Sequence, residues 1–224
     1  MIVVAGGIKG GSGKTTVALH LAIMRAAQGH DVLVIDADDQ ETAFDFTRLR
    51  NTRTGNHAGY TCVKLTGLAL RIDTLRLADK YDDIVIDTGG RDTTSQRAAL
   101  AVADRLLVPF LPRSFDVWTL EKMVALIEDM RSANPTLLAY AFLNRADPRG
   151  QDNAQAAEVL RETSALHFLQ TPLGTRKAFG NAASHGRAVT ELTPHDPKAV
   201  HEISTLFHHV FPVSQRSTLE EPLP

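Results

Sequence analysis

Apolar residues follow two rhythms along this chain. Unbroken runs at 2–6, 32–35, 84–86, 106–108, 138–143 and 166–171 predict β-strands, and 60–65 is a weaker strand candidate. Between them, 14–28, 67–79, 94–103, 116–132, 153–163 and 197–210 read as helices. The strand runs are continuously apolar rather than alternating, which suits a parallel sheet covered on both faces. Strand–helix alternation predicts an α/β fold: a doubly wound, mainly parallel sheet with helices on both faces and ligands at the C-terminal strand ends. Residues 48–59, with Arg48, Arg50, Arg53, Gly55 and Gly59, read as a polar surface connection. One domain is expected over 1–211, followed by a polar, proline-bounded, flexible tail at 212–224.

Composition narrows the class without choosing a function. The chain has 224 residues, 43% apolar and 22% charged, as in an ordinary globular protein. No apolar run approaches the roughly 18 residues of a membrane-spanning helix, and the start resembles no signal peptide, so cytoplasm is the expected location. The single cysteine, Cys62, excludes an internal disulfide and a metal cluster held by cysteines of one chain. A formal net charge of −2 argues against a constitutive nucleic-acid binder but permits a local basic patch. His185, His195, His201, His208 and His209 show no metal-ligand spacing. His20 is expected at a polar edge of the first helix, and Trp118 in the core or an interface.

The chemistry concentrates directly after the first strand. Lys9-Gly10-Gly11-Ser12-Gly13-Lys14-Thr15-Thr16 is a phosphate cradle. Its glycines let backbone N–H groups close around an anion. Lys14 can reach the outer phosphates, the Thr15 hydroxyl can hold Mg²⁺, and the following helix contributes its positive end. The usual pattern has glycine where this chain has Ile8, and a second lysine, Lys9, sits five residues before Lys14. Asp36 and Asp38 follow the second strand, where one carboxylate can order Mg²⁺-bound water and the other can orient an attacking water. Asp87 ends the run 84–86 and precedes Thr88-Gly89-Gly90. A buried strand there delivers a carboxylate to the metal shell beside a segment able to respond to the γ-phosphate.

Together, 9–16, 36–40 and the strand ending at Asp87 resemble the ParA/MinD group of deviant Walker A ATPases. The resemblance continues through 109–116, 144–150 and 176–191, and looks like the short, ParF-like partition proteins. It implies a P-loop ATPase using ATP and Mg²⁺. By resemblance, Lys9 crosses a dimer interface to the partner's nucleotide, Lys14 binds phosphate, and Asp38 is needed for hydrolysis. Thr15, Asp36 and Asp87 match the metal shell, while Asn144 and Pro172 fall near the adenine. The resemblance further implies an ATP-dependent homodimer with slow intrinsic hydrolysis, non-specific DNA binding on the nucleoid, and stimulation by a ParB-like or cargo-adaptor partner. Arg149 matches a DNA-contacting arginine, with Arg145, Arg176, Lys177, Arg187 and Lys198 as further candidates.

Asp39 replaces the usual proline of the Asp-x-Asp-Pro-Gln motif, and Thr88-Gly89-Gly90 replaces a frequent proline-containing turn. Two alternatives stay open: a MinD-like regulator at the membrane, and a metabolic ATP-dependent ligase or synthetase. The acidic, proline-broken ending 219–224 does not suit a membrane-binding helix, so no stable membrane association is expected. A nitrogenase-type reductase is excluded because Cys62 alone cannot bridge a cluster.

Overall fold

The computed structural model describes residues 1–114, 117–147 and 151–212. The strands are β1 (Ile2–Ala5), β2 (Val32–Ala37), β3 (Thr61–Lys64), β4 (Asp83–Thr88), β5 (Arg105–Phe110), β6 (Leu138–Ala146), β7 (His167–Phe168) and β8 (Leu173–Gly174). The helices are α1 (Lys14–Ala27), α2 (Thr42–Arg53), α3 (Gly67–Ala78), α4 (Thr94–Leu100), α5 (Val117–Ala133), α6 (Asp152–Glu162), α7 (Lys177–Ser184) and α8 (Pro197–Val210). The sheet runs β3-β2-β4-β1-β5-β6-β7, with β8 also on β6. Every pairing is parallel.

Continuous apolar runs follow from the two covered faces. Val4, Leu33, Ile35, Ile84, Ile86 and Leu106 point into a core shared with α3, α4, α5 and α6. Their strand neighbours Val3, Val34, Val85 and Leu107 point the other way, against α1, α2, α7 and α8. The alternation of Cβ direction along a strand therefore needs an apolar residue at each step. The C-terminal ends of β1, β2, β4 and β6 converge on one rim.

Several elements depart from expectation. Residues 48–59 are not simply a surface connection, because 48–53 complete α2. Its inward face is Ala43, Thr47 and Arg50, at helical spacing but mostly polar. Arg50 is buried: its Nε donates to the Ala58 carbonyl at 2.6 Å, and its Nη atoms hold both Glu191 carboxylate oxygens at 2.7 and 2.8 Å. The run 166–171 yields only the two residues of β7; the chain then breaks at 170–172 and returns to the same edge of β6 as β8. Helix α7 buries only Ala182. The fourth helix ends at Leu100, earlier than 103. Of the expected tail, 213–224 lies outside the described residues.

His20 lies inside the protein, not at a polar edge. Its Nδ1–H donates to the Thr16 carbonyl at 2.7 Å, and its Nε2 accepts the Val189 N–H at 3.1 Å. That pair of bonds fixes a neutral tautomer. Burial pushes its pKa down to about 4, against the opposing Thr16 carbonyl and Glu191 carboxylate. The unfolded chain therefore binds a proton that the native state refuses between about pH 6.5 and pH 4. The stabilisation is complete above about pH 6.5 and lost as the pH falls toward 4, about 3 kcal/mol in all. Urea midpoints measured across this interval are expected to fall with acidity in the parent and to fall less steeply in His20→Gln.

Candidate functional site

The first strand leads into a loop that only glycine can build. Gly11 and Gly13 have φ of 71° and 94°, both left-handed. A Cβ on Gly13 would stand 2.2 Å from Asn144 Nδ2. That same Nδ2 donates to the Ser12 carbonyl at 2.6 Å, so the end of β6 pins the loop. Gly90 lies against the loop from the other side: its Cβ would meet the backbone of Gly10 at 2.6 Å. No side chain caps the start of α1, leaving its N-terminal end to the cavity that the loop encloses.

This cavity measures about 820 Å³ and is lined by Gly10, Gly11, Lys14, Thr15, Asp38 and Gly90 among others. Its size falls within the range of small-molecule sites. Lys14 is buried, and its Nζ donates to the Lys9 carbonyl at 3.1 Å. Burial lowers its pKa, against the raising effect of Asp87 and Asp38. Both carboxylate oxygens of Asp87 are buried and make no hydrogen bond of good geometry, the Thr15 hydroxyl offering them only a weak one. Burial pushes its pKa up to about 7; Thr15 and Lys14 oppose this, while Asp36 and Asp38 add to it. A buried carboxylate with so little hydrogen bonding is an expensive arrangement unless a cation completes it. Asp87 and the Thr15 hydroxyl offer the hard oxygen donors that suit Mg²⁺.

Asp36 is placed differently. One oxygen accepts the Asp38 N–H at 3.1 Å, and the other accepts the Phe44 N–H at 2.8 Å. Burial raises its pKa despite these bonds. It fixes the turn that presents Asp38, whose own Oδ1 accepts the Gln40 N–H at 3.2 Å. The backbone of Gly89 passes close to Asp38, with a Cβ position 3.2 Å from Oδ1.

Lys9 does not line the large cavity of its own chain. It lies on the neighbouring side, with Ile8, Pro109, Phe110 and Thr119. Trp118, next to Thr119, is 75% exposed and so is not a core residue.

A second cavity, of about 330 Å³, shares Gly13, Thr16 and Arg145 with the first. Its walls combine apolar Val17, Leu173, Phe179 and Ile203 with polar Asn144 and Arg176. Asn144 is there, but both ends of its amide are occupied by Ser12 and the Arg145 N–H. Pro172 lines neither cavity, whereas the adjoining Leu173 and Gly174 line the smaller one. A separate groove of about 630 Å³, bounded by Thr47, Tyr60 and Cys62, carries no phosphate-loop residue.

The basic candidates are dispersed. Arg176 is held by both oxygens of Glu202 beside the smaller cavity. Lys177, Arg187 and Lys198 are exposed. Arg145 stands at the large cavity's mouth with left-handed backbone, φ 53°, and such strain in a non-glycine residue gathers at functional sites. Arg149 lies outside the described residues. Sequence reasoning missed Arg91, a second arginine of the large cavity; its place directly after Gly89-Gly90 was the available signal.

Residues 2–189 match the family described as the CobQ/CobB/MinD/ParA nucleotide binding domain. Maintenance of carboxysome distribution protein A of Gloeobacter kilaueensis is 32% identical, over 82% of this chain and 81% of that one. Protein IncC of Escherichia coli is 26% identical over 91% of this chain; the chain spans only 66% of IncC. The solved structure of apo McdA from Cyanothece superposes with a TM-score of 0.75 at 19% identity, covering 93% of this chain and 98% of that one. With its phosphate loop, its strand-end carboxylates and its parallel sheet, the chain belongs to the CobQ/CobB/MinD/ParA nucleotide-binding family.

Proposed function

We propose that this protein is an ATP-driven spatial switch of the ParA kind, closing as a nucleotide-sandwich dimer that binds DNA without sequence preference. Hydrolysis, stimulated by a partner protein that carries the cargo, resets it. ATP hydrolysis is the activity of the ParA/MinD family. The dimer, the DNA and the partner are our reading. The observation that carries it is the position of Lys9. Its backbone braces Lys14, yet the residue itself lies outside the cavity of its own chain. A cation so placed is positioned to serve a second copy facing it.

In this reading Lys14 and the N-terminal amides of α1 bind the phosphates, and Arg145 and Arg91 flank the entrance. Asp87 and Thr15 would hold Mg²⁺, which supplies charge neutralisation across the outer phosphates. Asp38 orients the attacking water, held in place through Asp36. The smaller cavity takes the base. Phosphoryl transfer demands positioning and electrostatic stabilisation above all, so a lysine delivered in trans completes the site only in the closed dimer. A pair that shuts on ATP and opens after hydrolysis suits reversible attachment more than metabolic turnover. The carboxysome-distribution name of one relative supports a cargo-positioning role. We place the protein in the cytoplasm, on the nucleoid in its ATP state; no described helix is long and apolar enough to cross a membrane.

Trp118 is the only tryptophan in the chain, is exposed, and precedes Thr119, which lines a cavity with Lys9. ATP·Mg²⁺ is therefore expected to shift its emission to the blue as the dimer forms. Lys9→Ala is expected to lose both that shift and ATP-dependent dimerisation in sedimentation while retaining nucleotide binding; an unimpaired dimer overturns the in-trans role. Asp38→Ala is expected to hold the ATP dimer and lower turnover by about 100-fold or more, which single-turnover hydrolysis measures. A random-sequence duplex is expected to bind with ATP·Mg²⁺ and not with ADP·Mg²⁺. Its affinity should fall with salt at a log–log slope of roughly −0.9 per phosphate neutralised. A dimer that forms normally and binds no DNA in either state removes the DNA half of the proposal.

A further inference from the structure

Helix α3 packs Leu70, Leu77 and Ala78 on the core yet turns a second apolar set outward. Leu68, Ile72 and Leu75 are 75%, 54% and 51% exposed. Among the described residues they are three of the five exposed large apolar side chains. Their spacing of i, i+4, i+7 puts them in one stripe. The inward face meanwhile holds Leu70 and a fully buried Thr74 whose hydroxyl has no hydrogen-bond partner. Single exposed leucines need no explanation, but a stripe of this length on one helix marks an interaction surface.

The charges around the stripe select the occupant. On the helical projection Arg71 lies along one side of it and Arg76 along the other; both are exposed. The carboxylate nearest Arg76 is Asp73, at 3.4 Å on the outer flank, in an exposed i,i+3 pair that holds its arginine weakly. A second copy of α3 laid against this face would bring arginines against arginines. Asp79 continues the stripe at its C-terminal end and opposes insertion into a lipid surface. We propose that α3 is the docking face for an amphipathic helix of a partner protein, with an apolar stripe flanked on both sides by Asp or Glu. Such a helix would cover Leu68, Ile72 and Leu75 while its carboxylates meet Arg71 and Arg76, a helix-on-helix form of groove recognition. The face lies away from the nucleotide cavity, none of whose lining residues belongs to α3.

The test uses the full chain. A display library of helical peptides is selected on it and counter-selected on Ile72→Glu, a change at an exposed position that urea unfolding should show to be well tolerated. The expected winners place apolar residues at i, i+4 and i+7 between acidic flanks. Their affinity is expected to fall about tenfold on the double change Arg71→Glu with Arg76→Glu. It should return when the peptide's acidic flanks are changed to lysine. Winners with basic or neutral flanks, or none sensitive to Ile72→Glu, overturn the proposal. So does Ile72→Glu-sensitive binding to phosphatidylglycerol vesicles, which would make the face a lipid contact, or Ile72→Glu-sensitive self-association in sedimentation, which would make it a contact between copies.

Discussion

Everything at the functional rim depends on charges held where water is scarce. Asp87 is the penultimate residue of β4, the strand next to β1, and Lys14 opens the helix that β1 feeds. Both are almost inaccessible, and burial moves each toward its neutral form. Neither charge is well satisfied by the protein alone. Burying an ionised carboxylate or ammonium without full compensation is costly, and that cost concentrates here at the end of the sheet. The continuous apolar strands keep water out, and the glycine loop permits the close approach.

The sequence made this centre legible because its determinants are local. A strand, a turn that tolerates left-handed backbone and a helix start are specified by adjacent residues, and strand-end carboxylates sit where a parallel sheet must present them. What escaped was specified across distance. Helix α2 turns Thr47 and Arg50 inward, and Arg50 is acceptable there only because Glu191 and the Ala58 carbonyl meet it from elsewhere in the chain. No apolar periodicity could announce that helix. Helix α7 buries one alanine, and β8 has two residues, too little for a pattern to register.

The residues around the smaller cavity show the same limit. Asn144 was expected near the adenine by resemblance alone; its hydrogen bond to the Ser12 carbonyl depends on β6 lying beside the loop that follows β1, across β5. The smaller cavity opens where β7 leaves the sheet edge and β8 takes it up again. That interruption involves so few residues that a single strand at 166–171 was the simpler expectation.

The contact between Gly90 and Gly10 has a mechanical consequence. Backbone touches backbone there, with no side chain between to rotate and absorb a displacement. The two loops therefore behave like meshed teeth without slack, and neither can advance into the cavity unless the other yields. The 89–91 loop leads into α4, whose Gln96 accepts the Gly7 N–H and whose Ser95 accepts the Gly67 N–H at the head of α3. Glycine at position 90 is thus a requirement of tolerance more than of chemistry, since any side chain there would have to displace the phosphate loop itself.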